Sequence, residues 1–287
     1  MSLLDNKNYV GAVQKFQSSL DNAVSDPKKQ LITIQTLVES NKLNQATDLL
    51  QQLLLEHPSQ KIWYDVLHLL CQNELPYQKA IQLLEKVSKK NPNELLAPLY
   101  LSDFFLRDQQ EKNALASLHT AVKLSDTKKL KTILWHQIAY LNFKAKKFVE
   151  FKNALKNAQE QSVDFAPLNN LIAYYYMRLE HNYDKARASV ERALKFEPAN
   201  PQFLDTLAYT YYKEKNYKKA YDTLQPILAT TGKDDFVIQK HFAKITYQLG
   251  NAKQAISILK KALPLAQSPH YKKQTNALIK RWSNQLT

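Results

Sequence analysis

Glycine is almost missing: Gly11, Gly232 and Gly250 are the only three in 287 residues. Strand-and-hairpin folds draw on glycine wherever a turn needs positive φ. A β fold is excluded on that ground, and no glycine-rich phosphate loop can be assembled from three scattered positions. The segment from Thr230 to Asp235, with Gly232-Lys233 inside it, reads as a turn. Cysteine is rarer still. Cys71 stands alone, so neither an intramolecular disulfide nor a cysteine-rich metal site can form. No apolar run approaches the roughly 18 residues of a membrane span. The opening MSLLDNKNYVGAVQKFQSSL lacks the apolar centre of a signal peptide, so the cytoplasm is the expected compartment.

Catalytic constellations are missing too. The histidines at 57, 68, 119, 136, 181, 241 and 270 make no His-Glu-x-x-His pair. Asp103 with Asp108, and Asp234 with Asp235, are the nearest approaches to paired carboxylates, and no other catalytic group brackets them. We expect no enzyme activity, no cofactor and no bound metal.

What is present is a period. Ala46, Ala80 and Ala114 lie 34 residues apart, as do Ala186 and Ala220, and Pro58 and Pro92. A repeat of that length is the mark of stacked helical hairpins. The unit ANPQFLDTLAYTYYKEKNYKKAYDTLQPILATTG (199–232) shows the logic. Leu204, Leu207, Ala208 and Tyr211 recur at three- and four-residue steps, one buried face of a first helix. Lys215-Asn216 makes the turn, and Tyr217, Ala220, Leu224 and Ile227 form the facing stripe of a second helix. The frame fits 27–58, 59–92, 93–126, 164–198 (with one extra residue in the turn) and 233–267. In 127–163 Phe151 takes the place of the packing alanine and is expected to push its hairpin apart. Pro226 lies inside a second helix, where a kink is expected.

These residues resemble the tetratricopeptide-repeat family: a large residue, Leu, a small residue and Tyr, then Ala, an aromatic or Leu, Ala and a closing Pro. The resemblance implies an all-α, right-handed superhelical solenoid of antiparallel helix hairpins. It divides the chain into a partial first repeat at 1–26 (second helix only), seven hairpins at 27–269 and a capping helix at 270–287. Asn8, Tyr9, Ala12 and Phe16 look like the start of a second helix with no first one before it. Self-association through that uncapped end is therefore an expectation.

Charge is the second signal. Residues 1–125 balance acids and bases, so the whole net charge of +14 falls in residues 126–287, with twelve of the 16 tyrosines. The resemblance implies that first helices line a concave groove. In successive repeats one groove position then carries Leu69, Asp103, Tyr140, Tyr174, Tyr209 and Lys244. Four residues on come Asn73, Arg107, Lys144, Arg178, Lys213 and Gln248, with Phe143, Met177, Tyr212 and Tyr247 between the two rows. Positions i and i+4 share a helical face, so Tyr140 and Lys144 can act on one ligand. Asn170 and Asp205 complete the candidate groove. The family's chaperone-tail clamp needs a fixed set of Lys, Asn and Arg, and His136, Asn170, Asp205 and Lys240 at the corresponding places do not supply it.

The expected role is a non-catalytic protein–protein interaction scaffold that binds an acidic or aromatic-containing peptide segment of another protein. Two rivals stand beside it. One is a nucleic-acid-binding repeat protein, drawing on the basic half. The other is the tetratricopeptide part of a larger envelope-assembly machine or enzyme.

Overall fold

The computed structural model describes residues 25–162, 164–228, 230 and 232–285. Asn8, Tyr9, Ala12 and Phe16, on which the partial first repeat and its self-association rest, lie outside the described residues. Helix is the regular structure present among those described, and no strand occurs there. The chain divides into two compact units, Met1–Ala154 and Leu155–Thr287.

In the first unit α1 (Ser25–Glu39) packs on α2 (Leu43–Glu56), α3 (Lys61–Asn73) on α4 (Tyr77–Lys90), and α5 (Leu96–Arg107) on α6 (Glu111–Leu124). Helix α7 (Lys128–Lys144) follows, and α8 (Phe148–Gln161) begins in this unit and ends in the next. In the second unit α9 (Ala166–Tyr175) pairs with α10 (Tyr183–Phe196), α11 (Pro201–Lys213) with α12 (Tyr217–Leu224), and α13 (Phe236–Gln248) with α14 (Ala252–Ala262). Helix α15 (Pro269–Ser283) then packs on α14.

Six of the hairpins close on a side chain with almost no bulk. Ala46, Ala80, Ala114, Ala186, Ala220 and Ala255 are all fully buried. A methyl group at each lets two helix backbones approach, and the leucines and aromatics on either side fill the interior to its normal density. Phe151, at the equivalent place, is buried as well, and its ring lies 5.2 Å from that of Phe143.

Six of the turns share one device, which the α3–α4 turn lacks. Asn41, Gln109, Lys146, His181, Lys215 and Gly250 all adopt left-handed backbone, with φ between 52° and 87°. At Lys215 the amide donates to Tyr212 O at 3.1 Å and the next amide, Asn216, donates back to Tyr211 O at 2.9 Å. That pair of bonds satisfies the last carbonyls of the first helix. Asn182, Asn216 and Asn200 then cap the following helices through their side-chain oxygens, as Asp235 does for α13.

Two local features depart from the sequence reading. The extra residue of the 164–198 repeat is not in the turn: it widens the end of α9 into a π-helical turn, Tyr176–Glu180. Pro226 does not kink a continuing helix. Lacking an N–H to donate, it sits in a 3₁₀ turn, Gln225–Ile227, and α12 ends at Leu224.

Candidate functional site

The second unit gathers most of the groove candidates. Its centre is Tyr209 on α11, only 5% exposed. One face stacks on His241 of α13, with ring centroids 4.0 Å apart and 18° between planes; Tyr212 stacks at 5.4 Å and 10°. Three cations from three successive hairpins approach the same ring. Arg178 Cζ lies 5.7 Å from its centroid, Lys213 Nζ 5.5 Å and Lys244 Nζ 5.9 Å, all within cation–π range.

Beneath this layer Asp205 is paired with His241. Both side chains are 6% exposed, and Nδ1 lies 2.8 and 2.9 Å from the two carboxylate oxygens. A carboxylate accepts only, so Nδ1 carries the proton. Burial, and secondarily the Asp205 charge, push the Tyr174 phenol up to about 12. Burial also raises Tyr209 and Tyr212. All three are neutral hydroxyls at physiological pH.

The cations are crowded. Burial first, and then Lys240, Lys213, Arg178 and Arg281, bring the Lys244 ammonium down to about 8. Burial and Arg178 lower Lys240 as well, against the opposing pull of Asp205. Among the described residues no carboxylate forms an ion pair with Arg178, Lys213, Lys240, Lys244 or Arg281. Lys240 instead lies 4.9 Å from the Tyr271 ring and 5.3 Å from that of Phe236.

Not every candidate belongs to this surface. Met177 is 1% exposed and packs with Ala186 and Tyr209 in the interior, accepting a contact from Thr210 Oγ1 at 3.6 Å. The π turn places it there. Asp205 is likewise an interior ion-pair member. Asn170 is half-buried, and its Oδ1 is buried with no hydrogen-bond partner among the described residues. Tyr247 is stacked on Trp282 of α15 at 4.2 Å and 9°. In the first unit Tyr140 is 49% exposed with Lys144 Nζ 6.0 Å from its ring, but Lys144 also faces Glu111 at 4.0 Å. Phe143 is half-buried against Phe148 and Phe151.

His241, Arg281, Thr275 and Trp282 are absent from the sequence-derived groove. His241 stands next to Lys240, the residue one repeat beyond Asp205, and the repeat register by itself did not single it out. The α15 residues carried none, because a terminal helix lies outside the repeat register.

Comparison with known proteins agrees with this architecture. Residues 179–262 match the family model described as anaphase-promoting complex, cyclosome, subunit 3. No curated protein matches the sequence. A solved hetero-tetramer of that complex, Cut9-Hcn1, superimposes with a TM-score of 0.67 at 16% identity, over 96% of this chain and 52% of that one. The chain thus spans about half the length of that structure's chain. A tetratricopeptide repeat protein from Parabacteroides merdae gives a TM-score of 0.63 at 12% identity, covering 88% of this chain and 98% of the other. Pseudomonas aeruginosa pilF gives 0.58 at 14%, over 76% and 96%. At such identities the likeness is one of fold, and that fold is the tetratricopeptide-repeat solenoid.

Proposed function

We propose that the chain is a protein-interaction scaffold whose second unit receives an acidic segment of a partner protein. One observation carries the reading: Arg178, Lys213 and Lys244 come from three successive hairpins, converge on the Tyr209 ring, and form no ion pair with a carboxylate among the described residues. Exposed ion pairs contribute only about 0.2–1 kcal/mol each. Arg178 is exposed, but Lys213 and Lys244 are half-buried, and cations held above a rigid aromatic stack before the partner arrives bind more firmly than free ones. Tyr212 and Tyr247 supply apolar edges with little side-chain entropy to lose, as aromatic anchors do at interfaces.

The reading is tested by capture of partners from the native host on immobilised full-length chain. Arg178→Met with Lys213→Met keeps the aliphatic stems and removes the charge. We expect the captured protein to be lost while helical content is unchanged. Capture that survives this pair overturns the groove assignment. Retention of RNA or DNA at low salt, lost steeply as salt rises, would favour the nucleic-acid reading instead.

A further inference from the structure

Within the second unit a pocket of about 320 Å³ opens between α13 and the terminal helix α15. Its floor and one wall are aromatic and apolar: Tyr212, Tyr247, Leu278 and Trp282. Its rim is cationic, formed by Lys240, Lys244 and Arg281, and no acidic residue lines it. Trp282 is 3% exposed and held flat against Tyr247, whose hydroxyl in turn hydrogen-bonds Gln285, so the wall is rigid. A second observation points to a ligand. Thr275 lines the same pocket, is 1% exposed, and its Oγ1 has no hydrogen-bond partner among the described residues. A buried hydroxyl left unbonded is destabilising, and a bound acceptor would remove that penalty.

We propose that this pocket binds a carboxylate side chain of the partner segment together with an adjacent apolar or aromatic residue. The proposal rests on the groove reading and names what sits at its C-terminal end. The carboxylate faces Lys240, Lys244 and Arg281 and accepts from Thr275 Oγ1. The neighbouring side chain lies on Tyr212, Leu278 and the Tyr247–Trp282 stack. The volume suits this pair of groups, whereas a bare inorganic anion would leave the apolar wall uncovered. A depression of about 650 Å³ at the turns of α9–α10 and α11–α12 lacks this character, because Glu180, Asp184 and Glu214 mix with its lysines.

Binding should be linked to protons. Lys244 faces Lys240, Lys213, Arg178 and Arg281, and Asp205, itself paired with His241, acts on Lys240. An arriving carboxylate relieves that repulsion and favours the charged form of Lys244. Affinity should therefore fall as pH rises above about 8, where free Lys244 loses its proton.

The test is calorimetric titration of the full chain with N-acetyl-aspartyl-phenylalanine amide. Its asparaginyl counterpart and inorganic phosphate serve as comparison probes. We expect the aspartyl probe to bind at least ten-fold more tightly than the asparaginyl one. Lys244→Met should weaken it about ten-fold and Thr275→Val about three-fold, while Lys260→Met, on the exposed side of α14, has no effect. Equal affinity for the two dipeptides overturns the proposal. So does phosphate binding as tightly as the aspartyl probe with the same dependence on Lys244, since the pocket would then read charge alone. If Arg178→Met with Lys213→Met abolishes partner capture but neither dipeptide binds, the groove stands and the pocket falls.

Discussion

Nδ1 of His241 reaches both carboxylate oxygens of Asp205, at 2.8 and 2.9 Å, across a gap of 36 residues in sequence. The pair joins α11 to α13 inside the second unit and supports the Tyr209 ring on the imidazole face. Removing one member of a buried pair strands the other, at a cost of about 3–5 kcal/mol. Asp205→Ala should therefore destabilise the second unit by about that amount, measured by urea unfolding and by hydrogen exchange at α11 and α13. The Tyr174 phenol should titrate below about 12 in the same variant, because the Asp205 charge no longer opposes its ionisation.

Lys244→Met should stabilise the free protein at pH 7. The native pKa of Lys244 is depressed, so its charged form is disfavoured by folding, and this penalty is fully present below about 8. Between about 8 and the ordinary lysine value the unfolded chain binds more protons than the native one, and wild-type stability rises with pH. The advantage of Lys244→Met should then shrink from pH 7 to pH 10. Thermal melting of both proteins across that range checks the sign; a gap that widens with pH would contradict it.

The six left-handed turn residues are not equal. Gly250, at φ 87°, is the one glycine among them, and a Cβ there would meet nothing within 4 Å. Gly250→Ala should cost about 1–2 kcal/mol through backbone strain alone. Lys215→Gly should be near neutral, since relief of the same strain at φ 64° is offset by the greater freedom of glycine when unfolded. Equilibrium unfolding of the two variants separates strain from packing.

Phe151 fills the place where the other hairpins have alanine. Fully buried against Phe143, it cannot be reduced without leaving a cavity. Phe151→Ala should cost about 3–5 kcal/mol even though it restores the family's usual residue. Faster amide exchange in α7 and α8 is the local readout.

Much of the fold was legible because the repeat is written in side-chain size. An alanine every 34 residues between leucines and tyrosines can be buried in one way only, as two helices in close contact. Pro226 and the extra residue near 176–180 were visible as irregularities, but not their resolution. Whether a helix kinks, ends or widens depends on which backbone groups find partners nearby, and the chain ended α12 early and widened α9. The groove register pairs Tyr209 with Lys213, whose ammonium lies 5.5 Å from the Tyr209 ring, while burial, which no register shows, takes Met177, Asp205 and Tyr209 itself almost out of solvent.

By itself, then, the sequence determined an all-α repeat array and its basic and tyrosine-rich second half. These follow from composition and period, which are local properties of the chain. Tertiary structure alone decided that Arg178, Lys213 and Lys244 meet at one ring, that His241 answers Asp205, and that α15 brings Arg281, Thr275 and Trp282 against α13. Charges separated by 30 residues or more acquire a common field only when helix packing brings them together, and burial then makes their repulsion strong enough to lower Lys244.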